Sequence, residues 1–209
     1  MSSDSRLVLC RHGVTDFTLT GVWDGRGGAN PPLNDQGRAQ AEDLAERVWS
    51  FLGDTPVRII SSSLARAQQT AAIIAARYGV EAETDPAWDE LAFGEWDGRL
   101  GTDLRAEFPD EMLRFWSDET YRPPGGESHI ELHARARMAF DRLLDEGGTT
   151  VVVAHWGPIM SCLQAILGID LLPARRINLA ATSMTSFVNS WQGPLVEFVN
   201  DIGVRQTVH

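Results

Sequence analysis

Lysine is absent from this 209-residue chain; all 18 of its Lys and Arg residues are arginine. That absence removes every mechanism built on a lysine Schiff base or on the lysine of a nucleotide-binding P-loop. Positive charge is scarce overall, since 29 acidic residues leave a formal net charge of -11. Such a chain is a poor electrostatic partner for nucleic acid or an anionic membrane surface. Only two cysteines occur, Cys10 and Cys162, each in an apolar run. They read as two buried thiols in a reducing compartment, although sequence alone leaves a disulfide between them open. No apolar run approaches the roughly 18 residues of a membrane span. The start, Met1 to Arg6, is polar and lacks the apolar stretch of a secretory signal. These absences predict a cytoplasmic protein with neither a nucleic-acid nor a membrane partner.

What is present is ordinary globular composition: 43% hydrophobic and 22% charged residues, enough apolar material to build a core without staples. No repeat, low-complexity segment or linker breaks the chain, so residues 1–209 are expected to form one domain. Leu7 to Cys10, Val57 to Ile60 and Val151 to Ala154 are short apolar runs suited to strands buried on both faces. Between them lie helical patterns. Asn34 or Asp35 caps one whose apolar positions run from Ala41 to Leu52 and which Gly53 ends; a second covers about Leu64 to Tyr78. Ser128-His129-Ile130-Glu131 has capping-box spacing and predicts a helix to about Asp145, and Pro158 is well placed to open the next. Ser183 to Val188 and Leu195 to Val199 flank Gln192-Gly193-Pro194 as a hairpin. The alternation predicts an α/β fold, a three-layer α/β/α sandwich with a mostly parallel central sheet. The stretch from about 91 to 126 is irregular, with two helical pieces around Pro109, and reads as a lid-like insertion.

Three strands end in unusual residues: Arg11-His12-Gly13, the run from Ser61 to Arg66, and His155-Trp156-Gly157. Open α/β sheets bind ligands at the carboxyl ends of their strands, so two histidines and two arginines are delivered to one edge. Arg66 falls in the first turn of its helix, where the macrodipole disfavours a cation by about 0.3–1 kcal/mol. A bound anion that neutralises it, helped by free amides of that turn, accounts for its position.

The segment Leu9-Cys10-Arg11-His12-Gly13-Val14-Thr15 resembles the signature of the histidine phosphatase superfamily, also called phosphoglycerate mutase-like. Five further segments match in order: Leu33 to Ala41, Ser61 to Ala71, Asp89 to Gly98, Pro124 to Ser128, and Ala154 to Gly157. The resemblance implies a phosphoglycerate mutase-like fold and a phosphomonoesterase acting on a small-molecule phosphomonoester. His12 is then the nucleophile, forming a phosphohistidine, and Arg11, Arg66 and His155 clamp the phosphoryl oxygens. Glu90 is the proton donor to the leaving alkoxide, though Asp89, Glu95 and Asp97 stand close by as competitors. Thr15, Trp156 and Arg26 are further candidates for phosphate or substrate contact. No metal and no cofactor are implied, because the arginines supply the positive charge.

The chain departs from the family pattern where Glu or Gln is replaced by Val14, Asn by Thr18, Arg by Val22 and Gln by Asp24. These positions shape the phosphate pocket and leave its contacts open, with Arg26 able to compensate. Trp156 can border the pocket or pack in the core, and Trp23 and Trp96 lie in candidate pocket loops. His129 and His133, at i and i+4, read as an exposed helical pair without a third metal ligand. Mutase activity is the alternative within the family, which the compact, lysine-free chain disfavours. A non-catalytic phosphate-binding protein on the same fold is another. Dimers are common in the resembled superfamily, so a homodimer stays open, as does the identity of the phosphomonoester.

Overall fold

The structure, a computed structural model, describes residues 5–203; the polar start at Met1 and His209, read as a frayed terminus, lie outside them. In chain order the elements are β1 (Ser5–Arg11), α1 (Asp16–Thr20), α2 (Asp35–Leu52), β2 (Val57–Ser61), α3 (Ala65–Tyr78) and β3 (Ala82–Thr84). They continue with α4 (Gly101–Glu107), α5 (Pro109–Ser117), α6 (His129–Glu146), β4 (Gly148–Ala154), α7 (Trp156–Leu167), α8 (Leu171–Ala174), β5 (Met184–Ser190) and β6 (Gly193–Asp201).

The strands form one sheet in the order β3-β2-β4-β1-β5-β6. The first four are mutually parallel, while β5 and β6 return antiparallel as a hairpin beside β1. Side-chain alternation divides the core in two. Leu7, Leu9 and Val152 point toward Phe140, Leu143 and Leu163 of α6 and α7, whereas Val8, Cys10, Val151 and Val153 meet Leu44, Val48, Ala71 and Ile74 of α2 and α3. Central strands apolar on both faces are the reason these segments read as unbroken hydrophobic runs. The result is the three-layer α/β/α sandwich. Cys10 and Cys162 are both buried and unbridged, and they belong to opposite faces of the sheet. Burial pushes the Cys10 thiol up to about 12.

Several boundaries differ from the sequence reading for identifiable reasons. The helix expected to open at Pro158 begins at Trp156, with His155 as its N-cap. Proline fits the third position there because the first-turn amides have no intrahelical partner to lose. The hairpin turn is Trp191-Gln192, and Pro194 lies inside β6 opposite Asn189; β6 is an edge strand, where a missing N–H is tolerated. The three-residue β3, Ala-Glu-Thr, is too short and polar to show an apolar pattern.

The irregular region has a small core of its own. Leu91, Trp96, Leu104, Met112 and Phe115 pack on Leu132 of α6. Trp96 is therefore a buried core residue and does not border the cavity, contrary to the sequence expectation. No helix among the described residues is long and apolar enough to cross a membrane.

Phe140 of α6 is fully buried and meets Phe187 of β5 edge-to-face, with centroids 5.0 Å apart. Phe140→Ala should lower stability by about 3–5 kcal/mol, the usual cost of truncating a core phenylalanine. Urea unfolding checks it: a loss below about 1 kcal/mol would mean the layers do not depend on this contact.

Candidate active site

Register brings the chemistry together. Arg11 lies opposite Ala154 and Ser61 opposite Val153, so the chain leaves β1, β2 and β4 side by side at their carboxyl ends. The His12 amide donates to the Ala154 carbonyl (3.1 Å) and the Ser62 amide to the Val153 carbonyl (3.0 Å). The rings of His12 and His155 come to rest 4.8 Å apart.

The loop after His12 is held by α2. Val14 N donates to Gln40 Oε1 (3.1 Å), Asn34 N donates to the Val14 carbonyl (3.3 Å), and Asn34 Oδ1 caps the Gly37 amide (2.8 Å). A Cβ on Gly37 would sit 2.0 Å from the Val14 carbonyl oxygen. Glycine is needed there for backbone to approach backbone, which gives the Leu33 to Ala41 segment its physical meaning.

His12 is buried, and its Nδ1 lies 2.7 Å from the Gly13 carbonyl. Nδ1 must donate, so Nε2 carries the lone pair. Burial, and then the charges of Arg66 and Arg11, hold its pKa well below the usual value, so the ring stays neutral. Behind it, His155 Nε2 lies 2.6 Å from Ser62 Oγ, which accepts from the Leu64 amide. If Ser62 donates its proton to Nε2, His155 Nδ1 is a protonated donor. That atom has no partner, and neither does Arg11 Nε; both are buried. Unmet donors flanking His12 suit an anionic oxygen.

A cavity of about 400 Å³ opens over these groups. Arg11, His12, Arg66, Asp24 and Glu90 form its polar end, and Trp23, Phe93, Trp116 and Trp156 form much of its wall. Thr15 borders it while capping α1 in a reciprocal box with Thr18, another lining residue. Val22 also lines it, whereas Val14 is buried. His155 lies beneath the floor. Arg26, the candidate for compensation, is exposed and does not line this cavity.

The carboxylates separate cleanly. Asp89 is buried and accepts from the Ser63 amide (2.7 Å) and hydroxyl; Asp97 accepts from the Gly25 amide (2.7 Å); Glu95 is exposed. Glu90 faces the cavity. Its oxygens accept from the amides of Leu91 (2.9 Å) and Gly157 (3.2 Å and 3.3 Å). A Cβ on Gly157 would come within 2.2 Å of Glu90 Oε1, so that glycine makes room for the carboxyl at the start of α7.

Profile comparison matches the histidine phosphatase superfamily (branch 1) over residues 7–202. This chain belongs to that superfamily. It is 34% identical over 173 residues to a glucosyl-3-phosphoglycerate phosphatase of Mycobacterium tuberculosis, covering 78% of this chain and 75% of that protein. A solved mycobacterial glucosyl-3-phosphoglycerate phosphatase superposes with a TM-score of 0.80 at 27% identity, covering 94% of this chain and 98% of the other. A "probable phosphoglycerate mutase" of Serratia proteamaculans is 33% identical over 209 residues, covering 94% and 93%. The chain spans about half the length of other curated relatives it matches, among them a bifunctional protein of M. tuberculosis at 33% identity over 187 residues and 88% of this chain.

Three points went unread in the sequence. Arg66, expected to be neutralised by a bound anion, is paired with Asp24, which had been noted only as a departure. Ser62 orients His155; its place in the Ser61-Ser62-Ser63 run at a strand end was the available signal. His129 is buried beside Phe115 and Trp116, at centroid distances of 4.5 Å and 5.6 Å, and does not form an exposed pair with His133. No group of three or more metal-ligating side chains occurs among the described residues.

Burial depresses the pKa of His129 to about 4, and those of His12 and His155 fall as well. Unfolded histidines titrate near about 6.5, so the full stability is present above that pH. It is lost as pH falls, because the unfolded chain takes up protons first. Tm should therefore decline from about pH 6.5 downward, above the carboxylate range, and His129→Phe should flatten part of that decline. Parallel curves for the two proteins would refute the assignment.

Proposed function

We propose that this chain is a phosphomonoesterase that hydrolyses a small phosphorylated metabolite through a phosphohistidine on His12. The observation that carries the reading is a buried, neutral His12 lining a cavity together with the guanidinium groups of Arg11, Arg66 and Arg105 and with Glu90, the lining carboxyl that is not paired with an arginine.

The phosphoryl group enters with its oxygens on Arg11, Arg66 and the Nδ1 proton of His155. Planar guanidinium forks match such oxygens and stabilise the charge as it redistributes. Arg66 Nε, which donates to His12 Nε2 at 3.2 Å, turns to a phosphoryl oxygen and frees the lone pair. Nε2 then bonds to phosphorus as the ester P–O bond breaks, and the leaving oxygen takes a proton from Glu90. In the second step Glu90 removes a proton from water, the water oxygen attacks phosphorus, and the P–N bond breaks. His12 and Glu90 return to their starting forms with inorganic phosphate as product.

The aromatic wall suits a leaving group with an apolar, aromatic or sugar face. Glucosyl-3-phosphoglycerate is the first substrate to assay, given the relatives. The chain is read as one domain whose 91–126 segment acts as a lid, and as cytoplasmic. The mutase reading rests on the similarity to the Serratia protein. Incubation with 2,3-bisphosphoglycerate and 3-phosphoglycerate separates the two: phosphate release supports hydrolysis, and efficient interconversion without release supports the mutase.

His12→Ala should abolish turnover and leave no acid-labile phosphoenzyme; survival of either removes His12 as nucleophile. Glu90→Gln should lose about 10²–10⁴ of the rate on alkyl phosphates, the usual worth of a general acid. On p-nitrophenyl phosphate, whose leaving group needs little protonation, single-turnover phosphorylation should fall far less. Equal losses on both would assign the proton to another group.

A further inference from the structure

The proposed reaction uses Arg66 as a phosphate ligand, yet its guanidinium is already engaged. Nη1 donates to Asp24 Oδ2 at 2.9 Å, Nη2 to the Asp24 carbonyl at 2.9 Å, and Nε to His12 Nε2 at 3.2 Å. Both side chains of the ion pair are only 4% exposed. Asp24 is fixed from its other side, where Oδ1 accepts from the Asn30 amide at 3.2 Å. Asn30 adopts a left-handed backbone (φ 54°), and its own Oδ1 accepts from the Ala65 amide at 2.8 Å. The 24–30 loop and the start of α3 are therefore tied together twice, through the Arg66 side chain and through the Ala65 amide. The carboxylate is built into the site.

We infer that Asp24 is a positioning residue that competes with the phosphoryl group for Arg66. It neutralises a buried guanidinium and keeps it aimed at His12. When phosphate binds, the same carboxylate stays within a few ångströms of the anion and weakens its hold. Substrate is helped by its leaving group, which touches the aromatic wall; inorganic phosphate has no such contact. Asp24 thereby favours release of the product over its retention. The inference rests on the proposed hydrolysis, but its binding test does not require turnover.

The experiment measures inorganic phosphate binding by calorimetry, and phosphate inhibition of hydrolysis, in the wild-type chain and in Asp24→Asn. Asparagine keeps one acceptor oxygen, which can face Arg66, and replaces the charge and the oxygen that accepts from the Asn30 amide with an NH2 group. It also removes the carboxylate paired directly with the buried Arg66, leaving only the less direct charges of Glu90 and Asp89, a cost that bound phosphate then relieves. Phosphate should bind about tenfold or more tightly to Asp24→Asn, the scale expected when a repelling charge near the anion is removed. Product inhibition should deepen in step and KM should fall, with kcat unchanged or lower. Unchanged or weaker phosphate binding in the folded variant overturns the inference, since Asp24 would then only brace Arg66. Should Asp24→Asn not fold, Asp24→Ala carries the same comparison. A wild-type chain that binds phosphate but hydrolyses no phosphomonoester overturns the proposed function instead, and the calorimetric comparison still decides the role of Asp24.

Discussion

Two arginines held in a largely buried pocket beside a neutral histidine are the constraint on which the rest of this structure depends. Taking a guanidinium out of water costs several kcal/mol unless it is paired and its donors are met. Arg66 meets that requirement with Asp24 and a backbone carbonyl, and Arg11 in part with the Leu179 carbonyl at 2.6 Å. Their charges, added to burial, depress the pKa of His12. A histidine nucleophile needs its lone pair, and in the proposed reaction the arginines that hold the anion are the same groups that keep His12 unprotonated. Arg11 Nε and His155 Nδ1 are buried without a hydrogen-bond partner, and the His155 ring lies 4.8 Å from that of His12.

Around this pocket the scaffold does the positioning. Parallel pairing of β2, β4 and β1 fixes three strand ends in one row, and a one-residue slip would turn each functional side chain to the other face of the sheet. Gly37 lets α2 approach the Val14 backbone just after His12, and Gly157 leaves room for the Glu90 carboxyl. The segment between Leu91 and Trp116 has its own apolar core resting on α6. It can therefore carry Phe93, Arg105 and Trp116 into the cavity wall without disturbing the sheet. The strand ends and this segment thus supply separate parts of the cavity lining.

Much of this was legible in the linear chain. The apolar runs of β1, β2 and β4 marked buried parallel strands, and Arg11-His12, Arg66 and His155-Trp156 stood at their ends. Asn34, Gly53 and Ser128 marked helix boundaries that the structure retains. Among four neighbouring acids, motif register singled out Glu90, and it is the one of the four that borders the cavity. Trp96 stands in a loop that does border the cavity, through Phe93, yet neither it nor Arg26 lines it: proximity in sequence to a pocket loop does not say which way a side chain turns.

Local periodicity, capping residues and strand-end chemistry were thus determined by the sequence itself, because they depend on neighbours a few positions apart. Tertiary structure alone decided the pairing of Asp24 with Arg66, 42 residues apart, the burial of His129 under α5, and the contact of Ser62 with His155 across 93 residues. Each depends on the desolvation and hydrogen-bond demands of a buried polar group. Those demands arise only once the layers have closed, and they are met by whichever side chain the fold happens to bring within reach.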